Sequence, residues 1–277
     1  MATFRRAFAS FLKDDCMGLS QQVAYSSLLA FFPAMAFLVG ALGLFHLFDD
    51  LQRLLDPVAP DGVIKFIRGL QQDSQGETSA LAFTIGLVVA IWVASGAMKS
   101  VIKAVNRAFE RPETRPFWKL RAIGILLVIA SGLTTAGVFL LIVVGGSLGD
   151  AISRRIGFGG FHWIWGIARW PIAFCAILLF FGLVYYLAPN KEQRSLKWIT
   201  PGSLVGGLLW LLLSGLFALY VTFAGNYTKT YGTLATGIIL LLWLNYSALA
   251  LLFGAELNAD LDRQRTSARP AASVPGS

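Results

Sequence analysis

The sequence predicts an all-α, polytopic integral membrane protein with six transmembrane helices. Three observations lead there. Apolar residues make up 56% of the 277-residue chain and charged residues only 14%, whereas a water-soluble domain carries about a quarter charged residues. Six stretches are each long enough to cross a hydrocarbon core, which takes about 20 mostly apolar residues. These stretches are continuously apolar, without the strict alternation of barrel strands.

The spans are predicted near 25–47, 80–101, 123–148, 165–187, 202–224 and 233–255. Ahead of the first, Phe4, Phe8, Phe11 and Leu12 recur at helical spacing, which predicts an N-terminal amphipathic helix on the membrane surface. The first outer loop, "LFDDLQRLLDPVAPDGVIKFIRGLQQDSQGE", predicts two short amphipathic helices separated by "DPVAPDG". Residues 1–262 are expected to form a single six-helix domain. The Pro/Ser/Ala-rich tail, 263–277, is expected to be disordered.

Basic residues set the orientation. With the N-terminus inside, the inner segments hold Arg5, Arg6, Lys13, Lys99, Lys103, Arg107, Arg111, Arg115, Lys119, Arg121, Lys191, Arg194, Lys197, Arg263, Arg265 and Arg269, sixteen of the 23 Lys and Arg residues. The outer segments hold Arg53, Lys65, Arg68, Arg154, Arg155, Arg169 and Lys229. The positive-inside rule then places both termini in the cytoplasm. The formal charge of +8 is accounted for by these loops, so no nucleic-acid partner is expected. Cys16 and Cys175 stand far apart and support neither a disulfide framework nor a metal site. No Gly-rich phosphate loop is present, which argues against an ATPase within the chain. No cofactor and no cleavable signal are expected.

Polar residues inside or beside the spans are the candidate functional residues. Glu256 closes the last span, and the series Asn245, Leu249, Leu252, Glu256 lies on one helical face. Asn245 either bonds a neighbouring helix or lines a polar path. Lys99, Lys103, Asn106 and Arg107 share a face of span two, and Gln22, Tyr25 and Ser26 open span one. A buried carboxylate needs a cation, so Glu256 is expected to pair with Lys99, Lys103 or Arg107. The alternative is a solvated Glu256 beside lysines that reach for lipid phosphates. Pro33 removes a helical hydrogen bond within span one and is either a hinge or a packing accommodation. Gly202–Gly206 and Gly145–Gly149 have the small-xxx-small spacing of close helix packing.

The segments "VAYSSLLAFFPAMAFLVG", "VNRAFERPETRPFWKLRAIGILL" and "YGTLATGIILLLWLNYSALALLFGAELNA" resemble the YihY/BrkB family of bacterial inner-membrane proteins. The resemblance runs over most of the chain. It implies a six-helix fold with both ends inside and a transport-like role, linked in some members to virulence or to export of envelope lipid precursors. The matching positions are Tyr25, Pro33, Asn106, Arg107, Tyr231, Gly232, Trp243, Gly254, Glu256 and Asn258. Relatives have carried the label of a tRNA-processing ribonuclease. Such chemistry needs clustered ligands in a wet site, and the chain has only His46 and His162.

Three functions are therefore weighed. The first is a transporter or flippase without its own ATPase, acting on an anionic solute or lipid precursor through Gln22, Tyr25, Lys99, Lys103, Asn106, Arg107, Tyr231, Asn245, Glu256 and Asn258. The second is an envelope scaffold, and the third, remote, is a nuclease. Membrane lipids and an unidentified substrate are the expected partners, and a homo-oligomer is left open. A coordinate set discriminates: a cavity bounded by Tyr25, Asn106, Asn245 and Glu256 would favour transport. The orientation has its own test. Cysteines at Gly76 and Asn226 should react with a membrane-impermeant thiol reagent in spheroplasts, and one at Arg115 should not; the reverse pattern overturns the topology.

Overall fold

The computed structural model describes residues 2–56, 61–73, 80–146, 149, 153, 155, 160–191, 199–223 and 233–267. Its helices are α1 (Ala2–Lys13), α2 (Cys16–Leu44), α3 (Phe48–Leu55), α4 (Asp61–Asp73), α5 (Ala80–Ala108), α6 (Phe117–Val143), α7 (Gly160–Leu187), α8 (Pro201–Phe223) and α9 (Thr233–Ser267). No strand occurs among the described residues. Six helices, α2 and α5 to α9, are long and apolar enough to cross a membrane. The amphipathic helix before them and the two in the first loop are present as α1, α3 and α4.

The boundaries differ from expectation at polar ends. The first span was expected from Tyr25, yet α2 starts at Cys16 and carries Ser20, Gln21 and Gln22 inside the helix. The last was expected to stop at Ala255, yet α9 continues to Ser267. Residues 263–267 are therefore helical, not part of a disordered tail. In both cases a polar turn was taken for a helix end, whereas it is the water-side continuation of a spanning helix. Helix α2 also runs through Pro33 without interruption.

The contacts divide the chain into two compact units: residues 1–28, 99–120 and 181–277, and residues 29–98 and 121–180. In the first unit α8 and α9 pack with their backbones nearly touching. A Cβ at Gly202 or Gly254 would collide with the carbonyl oxygen of the other. Gly206 faces the Ala250 carbonyl in the same way. Further along the pair, Trp210 donates to Ser247 Oγ at 3.0 Å and Trp243 to Ser214 Oγ at 3.3 Å. Each indole thus finds its acceptor on the opposite helix, where no water is at hand. Helix α1 lies along α9, with Ala7 and Phe11 buried and the rings of Phe4 and Phe11 against Phe253.

In the second unit α5 and α6 approach where Gly124 faces the Ser95 carbonyl. Arg121 is buried there with its guanidinium 3.6 Å from the Trp92 ring, and it donates to the Trp92 carbonyl. Helices α3 and α4 share a small core of Phe48, Leu55, Ile64 and Ile67, extended by Val39, Leu42 and Val143. Hydrogen bonds from Gln52 to Gln71 and from Gln71 to Asp49 tie the two together. Pro33 borders a small apolar recess of about 260 Å³ with Phe37, Gly40, Phe83 and Gly86.

The glycine contact is testable. Gly254→Ala must push apart α8, α9 and the Tyr185 hydroxyl, and overpacking of this kind costs about 1–3 kcal/mol. Gly237→Ala, which meets nothing within 4 Å, should leave the melting temperature of the purified protein unchanged, while Gly254→Ala lowers it by several degrees. Equal melting temperatures would show that the helices separate at no cost.

Candidate functional site

The polar end of the first unit is built from the α1–α2 turn, the end of α5, the Phe109–Pro116 loop, the end of α7 and the last turns of α9. Helix α5 stops with Glu110 in the left-handed region, φ 51°. Arg111 N reaches the Asn106 carbonyl and Glu110 N the Arg107 carbonyl, the double bond of a Schellman closure that usually recruits glycine. The chain then doubles back through Pro112 and Pro116. Arg115 holds this turn. It clamps Glu113, and it donates to the last carbonyls of α7, Leu187 at 3.1 Å and Ala188 at 2.8 Å. Asn106, also buried, donates to Glu113 and accepts from Asn190 N, both at 2.8 Å. The Arg115 hydrogen bond, ahead of its charge, holds the Glu113 carboxyl below the usual range, although partial burial opposes it.

A cleft of about 620 Å³ opens beside this network. Lys99, Lys103, Arg107 and Arg111 line it at every fourth position, with Asp14, Asp15, Asn106, Glu113, Leu19, Ile102 and Leu120. The acids are already engaged. Asp14, nearly buried, pairs with Arg107 at 3.3 Å, Asp15 accepts from Gly18 N at the start of α2, and Glu113 is held by Arg115. The cations are less so. Lys99 stands 4.1 Å over the Phe117 ring, Lys103 reaches Gln22 at 3.5 Å, and Arg111 has no acidic partner among the described residues. Four cations against three acids leave the lining with a net positive charge above an apolar floor.

The expected cavity bounded by Tyr25, Asn106, Asn245 and Glu256 is not formed: of the four, only Asn106 lines the cleft. The structure gathers Lys99, Lys103, Asn106 and Arg107, with Gln22 attached through Lys103. Tyr25 is 60% exposed. Asn245 accepts from Ser20 Oγ at 2.9 Å, the helix-to-helix bond rather than a path. Asn258 caps α8, receiving Gly202 N at 2.9 Å and donating to Thr200 Oγ1 at 2.8 Å. Tyr231 and Gly232 lie outside the described residues.

The expected ion pair of Glu256 with α5 is also absent. Glu256 is fully buried, its Oε1 accepts from the Cys16 thiol at 3.5 Å, and its Oε2 has no hydrogen-bond partner among the described residues. The reason is direction. The face carrying Asn245 and Glu256 looks at the start of α2, where Ser20 and Cys16 stand one turn apart, while Arg107 turns to Asp14. Other acids of α9 find different cations: Asp260 takes Arg6 at 3.3 Å and Asp262 takes Lys191 at 2.6 Å, while Glu110 takes Arg263 at 3.2 Å.

Sequence reasoning missed Asp14, Arg111, Glu113, Arg115 and Asn190. The acid between two arginines and two prolines in "RPETRP" was the available signal for the turn, and "DD" after Lys13 for the cleft wall. Arg115 is 4% exposed, so a cysteine there is a poor topology reporter; Arg111, on the same loop and exposed, is the informative position. No group of three or more His, Cys, Asp or Glu able to hold a metal ion occurs among the described residues.

A double-mutant cycle separates the two carboxylates. Asp14→Asn and Arg107→Gln should couple by about 1 kcal/mol, the range of a pair with one exposed member. Glu256→Gln and Arg107→Gln should be additive in melting temperature. Coupling in the second cycle and none in the first would restore the expected pairing.

The chain matches the family model described as Virulence factor BrkB over residues 7–276. It is 28% identical over 267 residues to a ribonuclease-like protein named YfkH of Bacillus subtilis, covering 96% of this chain and 97% of that protein. It is 25% identical to a UPF0761 membrane protein of Idiomarina loihiensis, over 91% of this chain and 88% of that one. With a UPF0761 membrane protein of Aeromonas salmonicida the identity is 26%, over 92% and 87%. No solved structure matches. A match over nearly the whole chain, to a fold with six helices fit to cross a membrane, makes this chain a multi-pass membrane protein of the BrkB family.

Proposed function

We propose that the protein is a transporter or flippase without its own ATPase, set in the bacterial inner membrane with both termini in the cytoplasm, that takes up an anionic solute or the head group of an envelope lipid precursor. The observation that carries this reading is the cleft. Lys99, Lys103, Arg107 and Arg111 face it against Asp14, Asp15 and Glu113, and of these acids Asp14 is held by Arg107 and Glu113 by Arg115. Charge left uncompensated in a half-enclosed site attracts an anion and strengthens its hydrogen bonds. The apolar floor of Leu19, Ile102 and Leu120 suits a substrate with an uncharged portion. The family takes its description from a virulence factor, and passage of an envelope component would fit such a role.

The relative named ribonuclease-like raises hydrolysis as another reading. The acids at this end are dispersed among separate cations, Arg6, Arg107, Arg115, Lys191 and Arg263. Transport uses that arrangement better than metal-assisted hydrolysis, which brings carboxylates together.

The test is binding. Inorganic phosphate, pyrophosphate and phosphatidylglycerol would each be titrated against the purified protein by thermal shift. At least one should stabilise it, and Lys99→Gln and Lys103→Gln should each weaken that binding about tenfold, the equivalent of one lost charge-assisted hydrogen bond. Arg53→Gln, an exposed outer cation paired with Asp50, should bind as the wild type does. Stabilisation indifferent to both lysines would remove the cleft from the function.

A further inference from the structure

Helix α1 carries an apolar edge that the protein does not cover. Ala7 and Phe11 face α9 and are buried, but Phe4, Phe8 and Leu12 remain 50%, 54% and 52% exposed. These three recur at every fourth position and form one continuous stripe beside the buried arc. Arg5 and Lys13 are exposed further round the helix, and α1 contains no acid. Arg6 is the exception among its cations, since it is engaged with Asp260.

The helix has little freedom to move away. Phe4 and Phe11 contact Phe253, Arg6 holds Asp260, and a two-residue turn with Asp15 at φ 52° leads directly into α2. Since α2 begins at Cys16 and its polar first turns precede an apolar run fit to enter the membrane, α1 is held on the water side of that run, at the depth of the head groups. A short helix there, with a bare aromatic stripe and a cationic margin, has the two attractions that bind an interfacial helix: apolar burial and attraction to anionic head groups.

We infer that α1 is an interfacial membrane-docking helix, whose Phe4, Phe8 and Leu12 edge inserts among the head groups of an anionic lipid surface while Arg5 and Lys13 meet lipid phosphates. This docking is independent of any transported substrate. The partner is the leaflet that α2 enters, and the packed arc of α1 ties that leaflet to Phe253 and Asp260 of α9.

The experiment uses the full chain with Cys175→Ser, reconstituted in nanodiscs of phosphatidylcholine alone or mixed with phosphatidylglycerol. An environment-sensitive fluorophore is attached to a cysteine at Phe8 or at Ala9, the latter exposed on the polar side. Nitroxide lipids labelled on the upper acyl chain, below the phosphates that Arg5 and Lys13 on either side of Ala9 would meet, should quench the probe at position 8 about twofold or more beyond that at position 9, with a blue-shifted emission. Quenching at position 8 should increase with phosphatidylglycerol, and Arg5→Gln with Lys13→Gln should abolish the increase. Equal quenching at the two positions would overturn the docking. Quenching indifferent to phosphatidylglycerol would overturn the anionic preference. Circular dichroism and melting temperature matched to the unlabelled protein show that either result comes from the folded chain.

Discussion

The first unit depends on the contact of α8 and α9 through glycine. Two helices whose backbones meet at Gly202 and Gly254 have no latitude to rotate about their axes, because any turn would bring a side chain into the seam. That constraint settles what every other residue of α9 faces. Asn258 lands on the start of α8 and caps it, together with the reciprocal bonds of Thr200 and Ser203. Asn245 and Glu256 are directed to the start of α2, and Asp260 to α1. The Tyr185 hydroxyl, which donates to the Leu251 carbonyl at 2.7 Å, fits only because residue 254 has no side chain.

The other organising rule is that polar atoms removed from water find partners within the protein. The Phe109–Pro116 turn follows it closely: Asn106, Glu113, Arg115 and Asn190 satisfy one another and the end of α7. Arg121 and Arg169 depart from it at Nε, and so does Glu256, with one oxygen unsatisfied among the described residues. Its burial comes from the packing of α9 on α2, not from an ion pair, which is why a nearby row of cations does not identify its partner.

The spans were legible because hydrocarbon demands a long apolar run and little else in the sequence imitates one. The amphipathic helices α1, α3 and α4 were legible for the related reason that their apolar spacing is strong. Helix ends were read less well. Non-glycine residues close α1, α2 and α5 in the left-handed conformation, at Asp15, His46 and Glu110, a weaker signal than the glycine usual there. Pairings across helices were hidden more deeply. Depth along an axis can be counted in residues, but it does not say which neighbour a side chain meets. The direction each helix faces depends on the glycine seam, which a periodicity count does not contain. Asp14 was passed over for the same reason, although it is the carboxylate that Arg107 meets.

The length of α9 has a mechanical meaning. Its 35 residues make a rod of about 52 Å, against a hydrocarbon thickness of about 30 Å. About 20 Å of the same rod therefore stands in the head groups and the water beyond, where α1 and Lys191 engage it and its own Arg263 meets Glu110. No proline and no internal glycine cluster interrupts it after Gly254. A tilt imposed on its outer stub at Asp260 is thus also a tilt at Asn245, with the seam at Gly254 as the fulcrum between the two arms.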